Sequence, residues 1–195
     1  DKGAKSWGNC AADGMVSVPE VFGGFANHGM AGRNSVSFYN DGRVEAVLLA
    51  ICPGDYVTVN MGINSATGEA AAYYTMMKDY YVQGILQRGG IPVIVTATPD
   101  GPVGDRVASN YDATTGKFTN SRGDGARNDV LRRIGTELNL KVIELGQWGQ
   151  DWMNTLTAED VTKYNAAAGT NFKTVLEMVQ SWYVDHNHYK EYLGG

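Results

Sequence analysis

Apolar residues along the 195-residue chain follow two alternating rhythms. Short dense runs at 55–61, 91–97 and 140–145 carry Val, Ile, Tyr and Thr without long polar breaks, which predicts buried strands. Pro92 falls near the start of its run, where a strand tolerates proline. A weaker run at 20–26 predicts a first strand. Between the runs, apolar residues recur at helical spacing. Val44, Val47, Leu48 and Ile51 share one face of a helix over 40–52 that stops at Pro53-Gly54. A longer helix over 68–88 ends at Gly89-Gly90. Val130, Leu131, Ile134 and Leu138 mark a helix over 124–138, and Phe172, Val175, Leu176, Val179 and Trp182 mark another over 170–184. Thr157-Ala158-Glu159-Asp160 opens a short helix. A last helical stretch begins at Asp185-His186-Asn187-His188.

Strands alternating with helices predict an α/β fold whose parallel sheet is covered by helices on both faces. There is no internal repeat or linker, so a single domain over 1–195 is expected. The stretch 98–121, rich in Gly, Asp, Asn and Thr, predicts a long loop directly after a strand. Sites in parallel α/β sheets form at that end.

Composition narrows the functional classes. Hydrophobic residues are 43% and charged residues 19%, an ordinary globular balance. The net charge of −5 contains no run of like charges, which argues against nucleic acid or an anionic membrane surface as a partner. No apolar stretch approaches the ~18 residues of a membrane-spanning helix. The chain opens at Asp1 without a leader-like stretch, so an export signal is expected either to have been removed or never to have been present. Cys10 and Cys52 match no zinc spacing; one bridge or two free thiols remain open readings.

Candidate chemistry gathers in three places. Asp185 stands three residues before His188, so its carboxylate can hold one imidazole nitrogen and leave the other to take a proton from a nucleophile. Gly62-Ile63-Asn64 follows a strand, and the Asn64 amide can donate to a developing oxyanion, although Asn is also an ordinary helix cap. Gly29-Met30-Ala31-Gly32 offers a backbone N–H to an anion, or a plain Gly-rich connection. His28, His186 and His188 lack further ligand spacing, so a metal is not expected. Arg122-Gly123-Asp124 reads as a turn into a helix. Among four Trp and eleven Tyr, Trp148 and Trp152 fall in an expected loop and offer faces that stack on sugars.

These segments together resemble the SGNH (GDSL-like) hydrolases, and within them the rhamnogalacturonan acetylesterase type of carbohydrate esterase. Asn27-His28-Gly29-Met30-Ala31-Gly32-Arg33-Asn34-Ser35, followed by Asn40-Asp41-Gly42-Arg43, resembles the second conserved block and its turn. Pro53-Gly54-Asp55-Tyr56-Val57 and Gly62-Ile63-Asn64 resemble the third, Asp185-His186-Asn187-His188 the last, and Trp7-Gly8 a pair after the first. The resemblance implies a three-layer α/β/α sandwich with a mainly parallel sheet of about five strands. It implies His188 as general base, Asp185 as its orienting partner, and Gly32 and Asn64 as oxyanion donors. It also implies a secreted enzyme that removes acetyl groups from polysaccharide without metal or organic cofactor.

Two departures change the expectation. Gly62-Ile63-Asn64-Ser65 stands where the family has Gly-His-Asn-Asp, and the Gly-Asp-Ser block that carries the nucleophile is absent from the sequence. Ser6, between Lys5 and Trp7, does not resemble that block. The first strand and its serine are therefore expected from outside these 195 residues, either on a separate N-terminal peptide that stays bound or on a segment of the protein that this sequence does not include. The alternatives are a catalytically inactive carbohydrate-binding protein on the same scaffold, and a peptide- or lipid-ester hydrolase.

Overall fold

The computed structural model describes residues 24, 26–62, 64–65, 70–119 and 125–190. They form a mixed α/β fold arranged as two compact units, each with its own apolar core. The expected strand at 20–26, and Ser6, Trp7 and Cys10, lie largely or wholly outside the described residues.

The first unit spans 30–99 and 121–149. It opens with helices α1 (Ser35–Asn40) and α2 (Arg43–Ala50). Asn34 caps α1, its side chain accepting from the Ser37 N–H at 2.8 Å while the Ser37 hydroxyl accepts from the Asn34 N–H. Strands β1 (Tyr56–Val59), β2 (Ile91–Val95) and β5 (Lys141–Ile143) form a parallel sheet in that order, with Tyr56 opposite Ile91 and Val93 opposite Lys141. Helix α3 covers 70–87; its central Met76–Val82 turn is a π-helix. Helix α5 (Gly125–Glu137) leads to β5. Each of these helices therefore precedes a strand parallel to the last, the crossover that the alternating pattern predicts.

Tyr73, Met77, Tyr81 and Ile85, four apart along α3, bury against Val44, Phe38, Val59, Ile94, Leu131 and Ile134. Two glycines set the spacing. A Cβ at Gly135 of α5 would lie 2.3 Å from Val142 Cγ2, and one at Gly84 of α3 would lie 2.8 Å from Leu48. Strand β1 is an edge among the described residues, and Tyr56 stays 65% exposed there. Burial on both sides, expected for each strand, does not extend to this one.

The second unit holds the described parts of 1–29, 100–120 and 150–195. The segment expected as one loop carries structure: a 3₁₀ turn (Gly104–Arg106), helix α4 (Val107–Asn110) and a hairpin of β3 (Tyr111–Asp112) with β4 (Lys117–Phe118). Its turn closes because the Asp112 carboxylate accepts from the Thr114 N–H at 2.8 Å and the Thr115 hydroxyl at 2.7 Å. Asn154 then pairs with Phe118 as a strand would, accepting from its N–H and donating to its carbonyl.

Helix α6 (Leu145–Met153), of which 145–149 belong to the first unit and 150–153 to the second, was not legible as a helix, and it carries Trp148 and Trp152 out of the expected loop. Helix α7 (Ala158–Ala168) is longer than its four-residue signal suggests, with Thr157 and Asp160 capping each other. Helix α8 (Val175–Ser181) starts later than expected because Thr174 caps it, accepting from the Glu177 N–H. The core joins Phe118, Met153, Val161, Met178, Val179, Trp182 and Tyr183.

Candidate active site

The final segment corrects the sequence reading. Asp185-His186-Asn187-His188 is a hairpin turn, not the start of a helix: β6 (Tyr183–Asp185) pairs with β7 (His188–Tyr189), and Asp185 faces His188. The cause is the Asp185 side chain. Its Oδ1 accepts from the N–H groups of Asn187 at 3.0 Å and His188 at 3.1 Å, which offers the backbone a turn instead of a helix. The same oxygen lies 2.7 Å from His188 Nδ1. A two-residue turn thus brings the carboxylate and imidazole together as surely as a helical turn would.

This contact places the neutral-ring proton on Nδ1 and leaves Nε2 as the basic nitrogen. Nε2 makes no hydrogen bond among the described residues. The His188 side chain is 52% exposed and that of Asp185 30%, so a reactant in solvent can reach the ring. His186 contributes its backbone instead: its carbonyl accepts from the Gly101 N–H at 2.8 Å. His28 is exposed and takes no part in this pair.

In the other unit, the residues proposed from sequence as anion donors come together around the start of α1. Gly32 adopts φ +71°, a left-handed conformation that glycine accepts without strain. The Asn64 amide donates to the carbonyl of Arg33, the next residue, at 3.5 Å. Ser65 is buried and ties the two segments. Its hydroxyl donates to the Met61 carbonyl at 2.9 Å and accepts from the Ser35 N–H at 3.4 Å. Tyr81 of α3 adds a 2.6 Å bond to the Ser35 carbonyl. Arg33 is held by Asp41 at 2.5 Å. Ile63 lies outside the described residues.

Sequence reasoning missed the polar groups that shape the carboxyl end of this sheet. The Asn60 side chain donates to the Thr96 carbonyl at 3.2 Å, and buried Asn128 accepts from the Ala97 N–H at 3.0 Å. Thr96 Oγ1 accepts from the Gly146 N–H at 3.2 Å, at the start of α6. A Cβ at Gly62 would sit 3.1 Å from that of Ala97, so glycine lets the turn after β1 pass close to the end of β2. Asn60 stands at a strand end in the sequence, which is the one signal that marks it.

Trp148 and Trp152, four apart on α6, are 61% and 55% exposed. Trp152 stacks on buried Trp182, with ring centroids 5.2 Å apart and planes at 21°. No group of three or more His, Cys, Asp or Glu that could hold a metal occurs among the described residues. Among them, too, no helix is long and apolar enough to cross a membrane, and Cys52 is exposed with a free thiol.

No family model matches the chain. Over 126 residues it is 29% identical to the probable rhamnogalacturonan acetylesterase YesY of Bacillus subtilis, a match that covers 61% of this chain and 52% of that protein. Its structure is similar to the crystal structure of the Bacillus subtilis protein YxiM, with a TM-score of 0.64 and 18% identity over the whole of this chain and 49% of YxiM. The second likeness concerns the fold. The chain spans about half the length of each of these proteins.

Proposed function

We propose that the chain is a single hydrolase domain of the SGNH type and works as a carbohydrate esterase, removing acetyl groups from polysaccharide. The observation that carries this reading is the 2.7 Å contact between His188 Nδ1 and Asp185 Oδ1, with Nε2 left open. It is the orienter–base half of a Ser-His-Asp mechanism. Distant similarity to a probable rhamnogalacturonan acetylesterase supports the substrate class. In the reaction, Nε2 of His188 takes the proton of a serine hydroxyl as its oxygen attacks the ester carbonyl. The Gly32 N–H and the Asn64 amide donate to the oxyanion of the tetrahedral intermediate. The imidazolium then protonates the departing sugar oxygen, and water, activated by the same ring, releases acetate. Asp185 stabilises the imidazolium and keeps the proton on Nδ1. No metal or organic cofactor enters this scheme, and the protein acts in the extracellular space.

The serine comes from outside these 195 residues, on a segment that this sequence does not include or on a separate N-terminal peptide. Support is the absence of Gly-Asp-Ser from the sequence beside an intact Asp185–His188 pair. The test is labelling of the protein as purified from its native source with a serine-directed fluorophosphonate, followed by peptide mapping. The expected label sits on a peptide that does not map to these 195 residues; a label on Ser6 would overturn an external serine. His188→Ala is expected to abolish both labelling and hydrolysis of p-nitrophenyl acetate, because the nucleophile loses its base. Undiminished hydrolysis by that variant would remove His188 from the role.

The exposed Trp148 and Trp152 favour a second reading, a catalytically inactive carbohydrate-binding protein on the same scaffold. It predicts oligosaccharide binding with no labelling by the fluorophosphonate in any preparation.

A further inference from the structure

Asp185 and His188 meet where solvent reaches them, and ion pairs in such settings hold their side chains loosely. A general base nevertheless needs its ring fixed to a fraction of an ångström. The precision must come from the hairpin backbone and from what the hairpin rests on.

The hairpin rests on Gly101. The buried Tyr183 ring approaches it so closely that a Cβ there would fall 2.5 Å from two ring carbons. The Gly101 N–H donates to the His186 carbonyl at 2.8 Å, inside the turn that joins Asp185 to His188. The seat is itself braced. Buried Asn110 donates to the Gly101 carbonyl at 3.1 Å, and Gln180 of α8 donates to the Pro102 carbonyl at 2.8 Å. The two strands are tied below the dyad. The Tyr183 and Tyr189 hydroxyls lie 2.9 Å apart, their rings 4.4 Å apart at 33°, and the Lys190 N–H donates to the Trp182 carbonyl at 2.7 Å. Burial, reinforced by the Asp100 carboxylate, pushes both tyrosines above their ordinary range. Their hydroxyls stay neutral, and one can donate while the other accepts.

We infer that Gly101 and the Tyr183–Tyr189 hydroxyl pair form a positioning seat that aims the His188 imidazole by fixing the hairpin that carries it. The seat rests on the reading of His188 as general base for its consequence in catalysis, but not for its geometry. Gly101 must lack a side chain for the Tyr183 ring to close over it. The two phenols then stop the strands from sliding, so that Asp185 Oδ1 and His188 Nδ1 keep their separation.

The test follows the His188 Nδ1–H proton by NMR in the ¹⁵N-labelled full chain, with its signal assigned by His188→Ala. In Gly101→Ala, the far-ultraviolet circular dichroism should persist while this proton exchanges with solvent roughly tenfold faster. The kcat for p-nitrophenyl acetate should fall roughly 10–100-fold, since small misplacements of a reacting group cost that much. KM should stay within about twofold, because uniform binding is untouched. Unchanged exchange would overturn the seat. If Gly101→Ala fails to fold, Tyr189→Phe keeps the ring and loses one hydrogen bond. It should speed exchange roughly three- to tenfold, and no change there also overturns the seat. The two readings fail separately. Undiminished turnover in His188→Ala retires the general base, while the exchange rates still decide whether the seat positions the ring.

Discussion

At the scale of single residues, Asp185 does the most with the fewest atoms. One carboxylate oxygen accepts two backbone N–H groups and lies beside the imidazole, so the group that orders the turn also orients the His188 ring. The pairing of Asp185 with His188 was legible because a three-residue separation brings side chains together in either a helix or a tight hairpin. The element that would do it was not legible. Helical periodicity through Val179 and Trp182 runs on toward Asp185, and the spacing alone does not reveal that an Asp will bond the N–H groups ahead of it. From its local pattern Asn64 is legible as a residue after a strand, and the resemblance of Gly62-Ile63-Asn64 to a family block is what singles it out. Its bond to the Arg33 carbonyl joins it to the Gly32 turn, a long-range contact that no local pattern encodes. If the Asn64 amide donates to the oxyanion, Asn64→Ala should lower turnover of p-nitrophenyl acetate by about 10²–10³. Circular dichroism should remain that of the parent. A loss of less than about tenfold would mean that the amide serves the turn and not the reaction.

At the scale of elements, the sheet was read from sequence within a few residues because β1, β2 and β5 are dense apolar runs between amphipathic helices. Helix α6 was not, because Gly146 and Gly149 lower its propensity and Trp residues occur in loops as readily as in helices. Its fold is settled by tertiary contacts instead. A Cβ at Gly149 would lie 2.7 Å from Pro99, and the Gly146 N–H is held by Thr96. Two substitutions separate local from tertiary control. Gly135→Ala improves helix propensity in α5 but drives a methyl into Val142, so urea unfolding should show a net loss of about 1–3 kcal/mol. Thr157→Ala removes the α7 cap and should cost about 1 kcal/mol in the same measurement. A stabilised Gly135→Ala protein would show that α5 can withdraw from β5 at little cost.

At the scale of the whole molecule, titration limits stability at both ends of the pH range. Hydrogen bonds from Tyr74, Arg133 and Lys78 hold the Glu137 carboxyl well below the ordinary range, at about 2. Asp112 and Asp160 are lowered chiefly by the hydroxyls of Thr115 and Thr157. A carboxylate whose folded pKa is depressed contributes stability above its unfolded value and loses it as pH falls. Stability should therefore decline from about pH 4.5 toward pH 2, and Glu137→Gln should flatten that limb. At high pH the sign reverses. Burial raises Tyr73, Tyr81, Tyr183 and Tyr189, so the folded state resists their ionisation while the unfolded chain does not. Stability should fall as pH rises beyond about 10. In an absorbance titration at 295 nm, these four phenols should ionise only as the protein unfolds; a smooth titration of every tyrosine before unfolding would contradict their burial.

The stack of Trp152 on Trp182 gives the molecule an optical signature. Two indoles this close and nearly parallel share their excited states, so their ultraviolet transitions should split into a pair of circular-dichroism bands of opposite sign. Because Trp182 directly precedes the strand that leads to Asp185, that couplet is a label-free gauge of whether the ground beneath the dyad is intact. It can be read in dilute solution, before any substrate is known.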